Sequence, residues 1–132
     1  MTTAIACAAI LAALLFLLGF NVSRMRGVTA KTGGSQLPAD PASPLLIAIR
    51  AHGNAAEYIP TLIALFLIVG ARSPAAAAVP LIVGATGARL VHAYGLLTSR
   101  SLAVESVPRV VGAVGTYLFG VALAVAAAIS LL

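Results

Sequence analysis

Acidic side chains are nearly missing from this chain: three stand among 132 residues, beside eight basic ones. Charged residues make up 8% of the total, whereas a soluble domain carries about 25% and needs it to cover its surface. Tryptophan is absent and cysteine occurs once. A single thiol excludes a disulfide-stapled secreted domain and a cysteine-rich zinc module. So few charges exclude a soluble enzyme and a disordered tail. The net charge of +5 and the pI near 10.4 do not mark a nucleic-acid binder, because the basic residues are scattered among apolar runs and form no phosphate-tracking stripe. What is present is apolar: 61% of residues are hydrophobic, and the mean hydropathy is +1.11. The bilayer is the solvent for this chain.

A hydrocarbon core of about 30 Å takes about 20 mostly apolar residues per helix. Four segments qualify, predicting an all-α integral membrane protein in which residues 1–132 form a single four-transmembrane-helix bundle. Residues 2–22 are uncharged and lack the basic start and small-residue cleavage site of a removable signal peptide. Residues 44–70, 75–97 and 107–131 supply the other spans, with Pro44, Pro74 and Pro108 near their starts, where a missing N–H costs little. Residues 23–43, holding Arg24, Arg26, Lys31, Gly33, Gly34 and Pro38, read as a loop, and so do residues 98–106. Basic residues concentrate in the first loop, Arg100 lies in the third and Arg72 stands alone in the second. That bias places the first and third loops in the cytoplasm and both termini outside it.

A charge at mid-membrane costs about 2.5–3.5 kcal/mol on insertion scales. Arg50, Glu57, Arg89 and Arg109 lie in otherwise apolar segments, so each must face protein, water or a ligand. Arg50, Asn54 and Glu57, spaced i, i+4, i+7, share one helical face, with Tyr58 and Thr61 close to it. His52 points away from that stripe, since two residues turn a helix by about 200°. One reading is structural: ion pairs among Arg50, Glu57 and Arg89 fix the packing of helices. The other is a shallow polar site between helices, open to the cytoplasmic side. Its inventory suits a small zwitterion or dianion, with guanidiniums forked onto carboxylates, Glu57 on an ammonium and Asn54 offering donor and acceptor.

His92 reads as a helix–helix hydrogen-bonding group, and Cys7 as a small packing residue. His52, His92 and one Glu lack ligand spacing, so no metal site is expected. Gly112, Thr116, Gly120 and Ala124 recur four apart on the last helix, and Gly84, Ala88 and His92 do so on the third. Such faces let backbones approach closely. Four short helices leave little internal room, which favours a site between subunits.

The run Arg50-Ala51-His52-Gly53-Asn54-Ala55-Ala56-Glu57-Tyr58-Ile59-Pro60 resembles the second-helix signature of the MAPEG family, the membrane-associated proteins in eicosanoid and glutathione metabolism. Arg89-Leu90-Val91-His92 resembles the family's third-helix Arg-x-x-His element, and Arg109 a fourth-helix arginine. The resemblance spans the whole chain in length and helix count. It implies a homotrimer with glutathione as cosubstrate, held between protomers near the cytoplasmic face. Carried over by position, Arg50, Asn54, Glu57 and Tyr58 hold the peptide, Arg89 and His92 line the neighbouring wall, and Arg26 or Arg24 meets a carboxylate. Arg109 is the implied catalytic residue, holding the sulfur as thiolate.

Two departures accompany it: the spacing from Arg89 to Arg109 is longer than in the eicosanoid enzymes, and Leu96 stands where those enzymes carry a tyrosine. They point to the small bacterial-type branch and a bacterial inner membrane, and away from an eicosanoid synthase. The implied activity is glutathione S-transferase or peroxidase on lipophilic electrophiles, with membrane lipid and the lipophilic substrate as partners. Two alternatives stand beside it, a non-catalytic glutathione-binding or structural protein and a small multidrug exporter. The exporter is disfavoured because residues 2–22 contain no acid.

Overall fold

A computed structural model describes residues 1–131 and contains four α-helices in chain order: α1 (Thr2–Lys31), α2 (Pro44–Arg72), α3 (Ala75–Leu97) and α4 (Val107–Ile129). All four are long and apolar enough to cross a membrane. Pro44 and Pro108 sit in the first turns of α2 and α4, and Pro74 caps α3. Ser43 also caps α2, its hydroxyl accepting from the Leu46 amide.

One boundary differs from the sequence expectation. Helix α1 does not end with its apolar run at residue 22 but continues to Lys31, so Arg24, Arg26 and Lys31 lie on a helical extension and not in a loop. Polar side chains end a hydrophobic span, but they do not break a helix. The chain turns only at Gly33, whose φ of 68° is left-handed backbone that glycine adopts without strain. At 30 residues and a rise of about 1.5 Å each, α1 is about 45 Å long and overshoots the hydrocarbon.

Helices α2 and α3 form the centre: each meets all the others, whereas among the described residues α1 and α4 do not touch. Ala4, Cys7, Leu11 and Leu18 give α1 its buried stripe. Phe66, Ile59 and Leu62 of α2, Ile82 and Ala85 of α3 and Leu123 of α4 continue the core. His52 faces Gly19 of α1, on the side of α2 away from Asn54. The loops at residues 32–43 and 98–106 lie at one end, joined by a hydrogen bond of 2.8 Å from the Leu102 amide to the Pro41 carbonyl.

The most extensive helix contact is between α3 and α4, and glycines on both sides permit it. A Cβ on Gly95 would stand 2.6 Å from the Arg109 backbone nitrogen, and one on Gly112 would strike the His92 backbone. Gly84 receives the Phe119 ring, and Gly115 meets Ala88. The predicted small-residue stripe of α4 thus divides. Gly112 packs on α3, while Thr116, Gly120 and Ala124 line a groove toward α2. Gly112→Ala should lower stability by about 1–3 kcal/mol through overpacking. Gly87→Ala, where a Cβ meets nothing within 4 Å, should be neutral or raise stability by about 0.5–1 kcal/mol. Thermal unfolding in detergent micelles separates the two.

Candidate functional site

At the loop-bearing end of the bundle, α2, α3, α4 and the loop at residues 98–106 enclose a polar cavity of about 280 Å³. Arg50, Asn54, His92, Leu96, Leu102 and Arg109 line it. Four of the site residues expected from the sequence therefore converge within one chain, in a bundle expected to leave little internal room. The long final loop does not displace Arg109. The loop folds over the cavity with Leu102 as part of its wall, and Arg109 Nη1 donates to the Val104 carbonyl at 2.8 Å.

Three of the lining residues, Asn54, His92 and Arg109, are held in this shape by hydrogen bonds. Arg89 is 1% exposed and sits behind the cavity wall. Its Nη2 donates to Asn54 Oδ1 at 2.8 Å, and its guanidinium carbon lies 5.3 Å from the centre of the Tyr58 ring, in cation–π range. A guanidinium has no acceptor atom, so this bond fixes the Asn54 amide with its oxygen toward Arg89 and leaves Nδ2 to donate into the cavity. His92 is similarly set: its Nδ1 lies 2.8 Å from the Arg109 carbonyl oxygen. A carbonyl only accepts, so Nδ1 carries the proton and donates. The hydrogen-bonding role expected for His92 between helices is thus present, joining α3 to the backbone of α4.

The ion-pair reading of the buried charges does not hold within a chain. Arg89 takes an amide, not Glu57, as its acceptor, and both Arg50 and Glu57 are exposed. Glu57 lies outside the cavity, about two turns along α2 from Arg50. Arg26 is exposed on the α1 extension, its carbonyl accepting from Gln36 Nε2, and does not reach the cavity of its own chain. Arg24 lines a separate cleft with Arg100 and donates to Asn21 Oδ1. Among the described residues no group of three or more His, Cys, Asp or Glu side chains converges.

Tyr58 belongs to a second feature. Its hydroxyl is 3.3 Å from that of Tyr117, with the rings edge-on at 60°. This pair heads an apolar groove of about 280 Å³ that continues between α2 and α4 along Thr61, Leu62, Leu65, Gly120 and Ala124. Tyr117 was not expected at the site from the sequence. It lies on a different helix from Tyr58, and no spacing rule links the two. Leu96 does face the cavity one turn beyond His92, so the wall there is aliphatic.

Fold and cavity define a class first: an integral membrane protein of four helices, with an arginine-lined polar site at one end and an apolar groove beside it. The MAPEG family profile matches residues 4–129, and the chain belongs to that family, which includes glutathione-dependent transferases and peroxidases. No curated protein and no solved structure matches it.

The Arg89–Asn54 contact makes a prediction that separates stability from binding. Asn54→Leu leaves a buried guanidinium without its acceptor and should cost about 2–3 kcal/mol. Asn54→Asp keeps an acceptor for Arg89 but removes the Nδ2 donor and adds negative charge. It should melt near the wild type while losing anion affinity, as read by thermal unfolding and ligand titration on the same samples.

Proposed function

We propose that this protein binds glutathione as cosubstrate and joins its thiol sulfur to lipophilic electrophiles, transferring the whole glutathionyl group, or reduces lipophilic peroxides, within the membrane. The observation that carries the reading is the donor set of the polar cavity. Arg50, Arg109 and the Asn54 amide all offer N–H groups to a space walled otherwise by His92 and two leucines. Such a set suits carboxylates, which guanidiniums bind by charge-assisted, often bidentate bonds. Glutathione has two carboxylates, one ammonium and one thiol, and the apolar groove headed by Tyr58 and Tyr117 offers a neighbouring place for a lipophilic reactant.

Arg50 and Glu57 lie about 10 Å apart along α2, on a face that a single chain leaves exposed. A peptide that engages both spans that face, with Glu57 taking its ammonium. Bare charges on a face at membrane depth are costly, so cover by another subunit fits them better than lipid does. Membership of the family supports a homotrimer with the peptide held between protomers, Arg26 or Arg24 reaching it from a neighbour. The same reading places the loop-bearing end in the cytoplasm of a bacterial inner membrane, with both termini outside.

Arg109 is the cation for the sulfur. Its tether to the Val104 carbonyl occupies one guanidinium nitrogen and leaves the others uncommitted in a residue that lines the cavity. Thiolate is the nucleophilic form, and a fixed positive charge beside it favours that form. Millimolar glutathione should raise the melting temperature of the purified protein. Arg50→Met should weaken glutathione binding about 10- to 100-fold, the equivalent of a lost charged hydrogen bond. Arg109→Ala should leave binding closer to the wild type but reduce the thiolate absorbance of bound glutathione. No melting shift with glutathione would overturn the reading.

A further inference from the structure

We propose that His92 is the proton acceptor for the glutathione thiol and returns that proton to the product; this rests on the glutathione reading above. The Nδ1–H of His92 is committed to the Arg109 carbonyl at 2.8 Å. In the neutral ring that commitment places the lone pair on Nε2, the nitrogen of the opposite edge. Nδ1 faces the α4 backbone while the residue lines the cavity, so Nε2 is the ring's one basic atom available there. Around it the cavity offers donors: Arg50 and the Asn54 amide from α2, and Arg109 from α4. Arg89 lies one turn back on α3. Of the ionisable cavity-lining side chains, the imidazole alone has a neutral form with a lone pair that accepts a proton, because the guanidiniums stay protonated. The Arg109 carbonyl orients it as a buried carboxylate or carbonyl orients a general base elsewhere.

The step balances without any further reactant. The S–H bond breaks and an N–H bond forms at Nε2, leaving a thiolate beside Arg109 and an imidazolium whose Nδ1–H still binds the carbonyl. The sulfur pair then attacks a lipophilic epoxide or enone, forming the S–C bond. The epoxide C–O bond opens, or the enone π-pair moves to oxygen. The resulting alkoxide or enolate takes the proton from Nε2, which restores the neutral ring. His92 thus favours electrophiles whose products need a proton over those that expel a halide, whose products need none.

Close packing of Gly112 on the His92 backbone makes large replacements unsafe. His92→Asn sets an amide N–H where Nδ1 was and removes Nε2, so it keeps the link to the Arg109 carbonyl while deleting the base. Glutathione affinity and KM should stay within a few-fold of the wild type. The kcat for an epoxide should fall about 100-fold or more, the usual scale for a lost general base. Added imidazole should restore part of it, and the loss with 1-chloro-2,4-dinitrobenzene should be smaller. A wild-type measurement needs no variant: glutathione binding in weak buffer should generate thiolate absorbance without releasing a matching proton to the medium. Stoichiometric proton release, or an unchanged kcat for His92→Asn with binding intact, would overturn the role of His92. Absent glutathione binding in the wild type would instead overturn the parent reading.

Discussion

The backbone contact between α3 and α4 is the constraint from which the site follows. Gly95 and Gly112 remove the side chains that would hold these helices apart. At that separation the imidazole of His92 reaches the Arg109 carbonyl, and Arg109 stands opposite Asn54 and Arg50. Membrane helices lack a hydrophobic drive toward one another, so close packing of small residues takes its place. The same contact therefore joins the helices and sets the distance across the cavity.

Behind the wall, Arg89 performs a second service. A buried guanidinium in hydrocarbon is tolerable only with acceptors and an electron-rich surface, which Asn54 and the Tyr58 ring provide. Arg89 Nε is left without a partner among the described residues, and the two groups that do hold the guanidinium become fixed themselves. Asn54 loses the freedom to turn its oxygen inward, and Tyr58 is held against Tyr117 at the head of the apolar groove. One buried charge thus sets the chemistry of the polar cavity on one side and the position of the groove on the other. The polar cavity and the apolar groove are adjacent because both walls lean on the same side chain.

Much of this was legible in residue order. Four long apolar runs and prolines at helix starts gave the spans, and the Arg50–Asn54–Glu57 spacing marked a polar face, because helical periodicity converts spacing into direction. The end of α1 was not legible, since the polarity of residues 23–31 marks the edge of the bilayer and not the end of a helix. Tyr117 and the enclosing role of Leu102 were hidden for a different reason. Each meets its neighbours across a large sequence separation, where no local period applies.

By itself, then, the sequence determined the solvent, the number of spans and the residues too polar to face lipid. Sparse charge and run length are properties of composition and need no partner to be read. Only the tertiary structure decided which of those residues share a cavity. Of the two readings of the buried charges, it set aside Arg–Glu pairing in favour of an Arg89–Asn54 bond and left Glu57 on the outer face of α2. It also assigned the proton of His92 to Nδ1 through a carbonyl 17 residues away. Those outcomes depend on how closely α3 and α4 approach, and glycine contacts at angstrom scale set that distance.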